Sequence, residues 1–228
     1  VKYPWIADGE APTHAMTWGG RPEGAAGRLA SSGVSLKPRS PGPSGVALHR
    51  FAPASPEEPI VHGAAAPGGV AGGDADVEPW IEAIRGRGIE RVVCLLSDRQ
   101  LRRYHALLDA YRGEFGTDAV THVSMTDHQL AESGELERAL AAFGDAEAAG
   151  EPVVAHCLAG IGRTGQAMAA WLVSARGFAP EPAIETVRAA GRDPAEAVRS
   201  GDGSEAELLE RLAALDPDGR ERDADGPR

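Results

Sequence analysis

VVAHCLAGIGRTGQ, residues 153–166, is the stretch around which the rest of the chain is organised. An apolar run from Pro152 to Ala155 carries the chain as a strand to His156 and Cys157. A glycine-spaced loop follows, and apolar helix formers resume at Ala167. Strand, tight loop and helix in that order make an anion-binding turn. Gly160 and Gly162 bare the backbone and permit dihedrals closed to other residues. The amides of Leu158, Ala159, Gly160, Ile161, Gly162 and Arg163 can then curl inward as a nest, closed by the positive end of the following helix. The spacing predicts a phosphate in that ring. No Gly-Lys-Ser/Thr closes the loop, which excludes the nucleotide-binding P-loop.

Cys157 stands at the mouth of the nest, so the donors that hold a phosphate also favour the thiolate, the nucleophilic form of a cysteine. Arg163, six residues on, can return its planar fork to two phosphate oxygens. Thr164 can donate its hydroxyl toward the sulfur and help it leave in a second step. His156 is expected to orient the loop rather than carry protons.

His156, Cys157, Gly160, Arg163, Thr164 and Gly165 together resemble the HC-x-x-G-x-x-R-T-G signature of the cysteine-dependent protein tyrosine and dual-specificity phosphatases. The stretch VVCLL, with LLDAYRGEFG after it, is similar to the kinase-associated group of atypical dual-specificity enzymes. The resemblance implies an α/β domain with a central, largely parallel sheet flanked by helices, and two-step hydrolysis of a phosphomonoester without metal or cofactor. It also implies a carboxylic acid on a loop about thirty residues before the cysteine. Asp127 precedes Cys157 by 30 residues and follows a strand-like run, Ala119 to Met125. It is the candidate acid, with Asp118 as the alternative and a helix cap as the bland reading. A proline often follows the acid in the family, whereas DHQLA stands here. Some members protect the nucleophile with a second cysteine, so a Cys94–Cys157 disulfide stays open beside a buried core role for Cys94.

Composition narrows the partners. A formal charge of -11 and a pI near 5.1 oppose a nucleic-acid-binding surface. Basic residues are almost all arginine, Lys2 and Lys37 being the only lysines. That usage fits a salt-adapted acidic surface or nucleotide bias alone. No apolar run reaches membrane-spanning length, no signal-peptide core is visible, and only Cys94 and Cys157 are present. A reducing cytoplasm and no membrane association are expected.

Residues 1–44, rich in Gly, Pro, Ser and Ala, read as a flexible arm, which Tyr3, Trp5 and Trp18 could instead dock. Residues 45–215 read as the phosphatase domain and 216–228 as a charged disordered tail. Within the domain, VALHRFA and PIVHG read as strands, with His49 and His62 as sheet residues rather than ligands. VEPWIEAIRGRG reads as a helix, IERVVCLL as a buried strand, and residues 98–111 as one helix bearing Leu101, Tyr104, His105, Leu108 and Tyr111. Helices follow at 134–149, after the catalytic loop, on both sides of Gly191, and at 204–215. The variable loop positions Leu158 and Ile161 carry no cation, which opposes a multiply phosphorylated head group. A phosphorylated protein is the expected partner, with a small phosphorylated metabolite or a nucleic-acid 5′ end as enzyme alternatives. A non-catalytic phosphate-binding module is the competitor from another class.

Overall fold

A computed structural model describes residues 48–216; the expected arm and nearly all of the expected tail lie outside the described residues. The five strands are β1 (Ala52–Pro53), β2 (Val61–Ala65), β3 (Arg91–Cys94), β4 (Val120–His122) and β5 (Val153–Cys157). They form one sheet in the order β1-β2-β5-β3-β4. β2, β5, β3 and β4 are mutually parallel, and the short β1 runs antiparallel to β2 at the edge. β5 is buried along its whole length. A strand covered on both faces must be apolar on both, which is why Val153, Val154 and Ala155 show no alternation.

The helices are α1 (Val77–Arg85), α2 (Asp98–Leu101), α3 (Leu107–Phe115), α4 (Ser133–Ala149), α5 (Gly162–Arg176), α6 (Pro180–Ala189), α7 (Glu196–Arg199) and α8 (Glu205–Ala213). Two apolar layers cover the sheet. On one face Val92, Cys94 and Val154 meet Trp80, Ile84 and Tyr111 from α1 and α3. On the other, Val93, Ala155 and Cys157 meet Phe143, Met168, Trp171 and Leu212 from α4, α5 and α8. Phe143 and Trp171 meet edge to face at 5.8 Å; truncating a ring so buried costs about 3–5 kcal/mol.

Three expectations are corrected. Residues 48–51 are not strand: Arg50 turns left-handed (φ 57) and pairing begins only at Ala52. The single helix expected over 98–111 is two, broken at 102–106, where the His105 N–H leaves the helical ladder and donates to the Asp74 carboxylate (2.7 Å), while the Tyr104 hydroxyl donates to the Pro67 carbonyl (2.9 Å). The strand expected over 119–125 is three residues long. Val123 N still bonds the Cys94 carbonyl (3.0 Å), and the chain then turns so that the Met125 carbonyl can serve a side chain described below.

Candidate active site

Parallel strands bring their carboxyl ends to one edge, and an open α/β sheet places ligands there. From β5 come the loop 158–161 and the first turn of α5, from β3 comes α2, and from β4 comes the segment bearing Asp127. Asp118 sits in the turn that precedes β4, at the opposite edge. The geometry therefore separates the two acid candidates and leaves Asp127 beside the loop.

The loop is held by what its glycines lack. Gly160 has φ +70, and a Cβ there would stand 2.6 Å from the Ala64 carbonyl oxygen of the neighbouring strand. Gly162 is ordinary in φ but lies against the Glu196 carboxylate, which a Cβ would strike, and a Cβ on Gly165 would come within 3.0 Å of the Pro194 nitrogen. Segment 193–196 thus braces the loop from outside. Helix α5 begins at Gly162, five residues before the first strong helix former, so Arg163 and Thr164 lie in its first turn. The Thr164 hydroxyl oxygen accepts from the Cys157 backbone N–H (2.9 Å). Its oxygen fixes the cysteine backbone, while its proton is the one the sequence expects to face the sulfur.

His156 is fully buried between Trp80 (5.2 Å, edge on) and Tyr111 (5.6 Å, edge on), with its Nε2 meeting the Tyr111 hydroxyl at 3.1 Å. Burial pushes its imidazole down to about 3, so the ring is neutral near pH 7 and packed among aromatic side chains at the end of β5. Cys94 pairs in register with His156 and lies with Tyr111 on that face, while Cys157 lies with the opposite layer. Burial pushes the Cys94 thiol up to about 12. A disulfide needs its Cβ atoms about 3.8 Å apart and facing each other, and side chains on opposite faces of a sheet do not meet that condition.

Arg163 is the hub. Its Nη2 stands 2.7 Å from Asp127 Oδ1. Its Nη1 donates to Gln100 Oε1 (2.6 Å) and to the Leu95 (3.1 Å) and Met125 (3.2 Å) carbonyls, which follow β3 and β4. Its Nε, buried, has no partner among the described residues. Gln100 Nε2 donates to Asp127 Oδ2 (2.8 Å), so one amide group ties the arginine to the carboxylate.

Sequence reasoning did not assign Gln100 a part. The S-x-x-Q pattern at Ser97–Gln100 is a capping box, and the Ser97 hydroxyl does accept from Gln100 N (3.3 Å), but that signal speaks only for a helix start.

The segment after Asp127 is also built by side chains that the sequence did not single out. Gln166 Oε1 accepts from Ala131 N (2.7 Å), and its Nε2 donates to the Gln129 carbonyl (3.2 Å). Asp202 accepts from Leu130 N (2.8 Å), while Arg211 donates to the Ala131 carbonyl (2.6 Å). His128 adopts a left-handed conformation (φ 59). Three side chains from distant helices and turns supply the stiffness that a proline gives elsewhere.

Comparison with known families and structures agrees with this architecture. Residues 66–177 match the family described as "Polymorphic toxin system, DSP-PTPase phosphatase". A mutant form of Tk-PTP is 24% identical with a TM-score of 0.54, covering 72% of this chain and 94% of its own. PTPMT1 in complex with PI(5)P is 17% identical with a TM-score of 0.54, covering 76% and 98%. Kinase associated phosphatase, with its catalytic-site cysteine substituted by serine, is 19% identical with a TM-score of 0.53, covering 72% and 87%. No curated protein matches the chain. At these identities the structures speak for the fold, a mostly parallel five-stranded sheet flanked by helices, and the family match spans Asp127, Cys157 and the loop to Arg163. Residues 66–177 thus match the DSP-PTPase phosphatases, and the chain is similar in fold to the cysteine-dependent protein tyrosine and dual-specificity phosphatases.

Proposed function

We propose that the domain hydrolyses phosphorylated protein side chains, phosphotyrosine and also phosphoserine or phosphothreonine, through a phosphate held covalently on Cys157. The observation that carries this reading is the convergence of Cys157, Arg163 and Asp127, from two different strand ends, on one carboxyl edge of the sheet, with Arg163 and Asp127 in direct contact (2.7 Å). The nest of amides from Leu158 to Arg163 receives the phosphate. The Cys157 sulfur attacks phosphorus as the P–O bond breaks, and Asp127 delivers a proton to the departing oxygen. Water then gives its proton to the Asp127 carboxylate and attacks the same phosphorus, the S–P bond breaks, and inorganic phosphate leaves. Thr164 assists the departing sulfur.

Arg163 serves both steps. A side-on fork uses Nε and Nη2, and here Nε is unpartnered while Nη2 carries a second proton beyond the one aimed at Asp127. The arginine can grip two phosphate oxygens without releasing the acid. The apolar side chains of Leu158, Ala159 and Ile161 put no further cation at the nest, which favours a single phosphate over a polyphosphorylated ring.

The test is hydrolysis of an aryl phosphate in the presence of a chelator, parent against Cys157→Ser. Turnover in the parent, abolished in the variant while phosphate binding persists, supports the reading. Turnover that survives in the variant removes Cys157 as nucleophile, and phosphopeptide binding without any turnover would make this a binding module. The description of the matched family names polymorphic toxin systems. We infer from it that the dephosphorylated protein matters to a cell's growth. Induced expression of the parent and of Cys157→Ser in a bacterial host tests this, with slowed growth expected for the parent alone.

A further inference from the structure

A cavity of about 490 Å³ opens beside the acid, lined by Ser97, Arg99, Gln100, Arg103, Thr126 and Asp127. Its position is defined by the proposed chemistry, on which the inference rests. The leaving oxygen faces Asp127, so the group that carries the phosphate, and whatever flanks that group, lies on this side of the nest.

The wall of the cavity is basic in a chain that is acidic overall. Residues 98–103 read DRQLRR, three arginines against one aspartate, where the whole chain carries -11. Arg99 and Arg103 are exposed, and neither forms an ion pair among the described residues. Arg103 is nonetheless held in place, its Nη1 donating to the Val70 carbonyl (2.8 Å). Asp127 is the carboxylate of the wall, and it is already engaged by Arg163 and Gln100. Two guanidiniums with donors to spare, one of them anchored, at the mouth of a cavity whose lining carboxylate is already paired, make an anion-accepting wall.

We propose that Arg99 and Arg103 form a second subsite that takes a carboxylate or a second phosphate on the polypeptide flanking the phosphoresidue, so that the substrate is an acidic phosphopeptide segment. A peptide fits better than a lipid headgroup. The loop's own side chains Leu158, Ala159 and Ile161 bring no cation to the nest, and a protein of this net charge is repelled by an anionic bilayer.

The experiment compares kcat/KM for two phosphotyrosine peptides of equal length, one with glutamates flanking the phosphoresidue and one with glutamines, in the parent, Arg99→Ser, Arg103→Ser and the double variant. Partly exposed ion pairs of this kind predict a preference for the acidic peptide of roughly three- to ten-fold. The preference should shrink as salt is raised and approach one in the double variant. General damage from a substitution lowers both peptides alike and leaves the ratio standing, so the ratio isolates the subsite. Equal rates for the two peptides in the parent, or a preference that survives both substitutions, overturns the proposal. So does an inositol bisphosphate that outperforms the acidic peptide in an Arg99-dependent way, which would assign the wall to a headgroup. Binding of the same peptides to Cys157→Ser reads the ratio without turnover. A failure of the catalytic reading then appears as lost aryl phosphate hydrolysis with the binding preference intact, and a failure of the subsite as the reverse.

Discussion

Gln100 accepts from Arg163 through its side-chain oxygen at 2.6 Å and passes the contact on, its amide nitrogen donating to Asp127 at 2.8 Å. The residue proposed to hold the phosphate and the residue proposed to supply the proton are thereby set against each other by a third that touches neither sulfur nor nest. Gln100→Leu would leave Arg163 and Asp127 each short of a buried partner, and small misplacements of a reacting group cost up to about 10²-fold. We expect kcat for an aryl phosphate to fall roughly 10- to 100-fold, with the fold unchanged by circular dichroism. An unchanged kcat would reduce Gln100 to its capping role.

Asp127→Asn keeps the shape of the side chain and one of the two hydrogen bonds its oxygens accept from Arg163 and Gln100, and it removes the transferable proton. Loss on the order of 10²–10⁴-fold is expected for alkyl or unactivated phenyl phosphates, shrinking toward nothing as the leaving group becomes a nitrophenolate that needs no proton. A plot of log kcat against leaving-group pKa measures it. Equal slowing for every leaving group would move the acid elsewhere, and Asp118, at the far edge of the sheet, is then not a candidate on geometry.

At Gly160, alanine meets both a left-handed φ of +70 and the Ala64 carbonyl. A strained position of this kind costs about 1–3 kcal/mol, and here the strain falls on the nest. Gly160→Ala should lower the unfolding midpoint modestly and abolish binding of inorganic phosphate or vanadate. Full oxyanion affinity in a destabilised variant would show that the loop tolerates rebuilding.

Glu58 supplies a pH dependence remote from the site. Burial by itself raises its pKa, but amides of Ile60 and Val61, the Arg176 guanidinium and the Trp171 indole (3.0 Å) outweigh burial and hold the carboxyl below its usual 4.5. A depressed carboxyl stabilises the fold fully above 4.5 and loses that contribution as pH falls through the lowered value. Denaturant titrations across pH should therefore show the parent weakening in acid. Glu58→Gln should be less stable by on the order of 3 kcal/mol at pH 7, with the gap closing as the pH drops. Parallel pH curves for the two proteins would contradict the assignment.

The strand-loop-helix turn at 153–166 was legible because its signal is local: glycines, cysteine, arginine and threonine lie within a few residues between an apolar strand and a helix. The place of Asp127 beside that turn was legible from its position after a strand, since a strand end on a parallel sheet arrives at the same edge. Residues 98–111 misled for a physical reason. Leu101, Tyr104, Leu108 and Tyr111 keep helical spacing across the break, and the bond from the His105 N–H to Asp74, 31 positions earlier, is what interrupts the ladder. Gln100, Gln166, Asp202 and Arg211 were invisible because their partners lie 27 to 81 positions away, and a glutamine or arginine at the end of a helix carries no local mark of what it will meet. The stiffness of the acid loop belongs to the same class: no proline signals it, and long-range hydrogen bonds at Gln129, Leu130 and Ala131 provide it.

The measurement that bears most directly on the proposed mechanism is rapid acid quenching of the domain during turnover of an aryl phosphate, followed by peptide mass analysis. The account predicts one phosphoryl group on the peptide containing Cys157, absent in Cys157→Ser and more abundant in Asp127→Asn, where water attack is slowed. Steady turnover with that peptide unmodified at every quench time, or with the phosphoryl group on another residue, would contradict it.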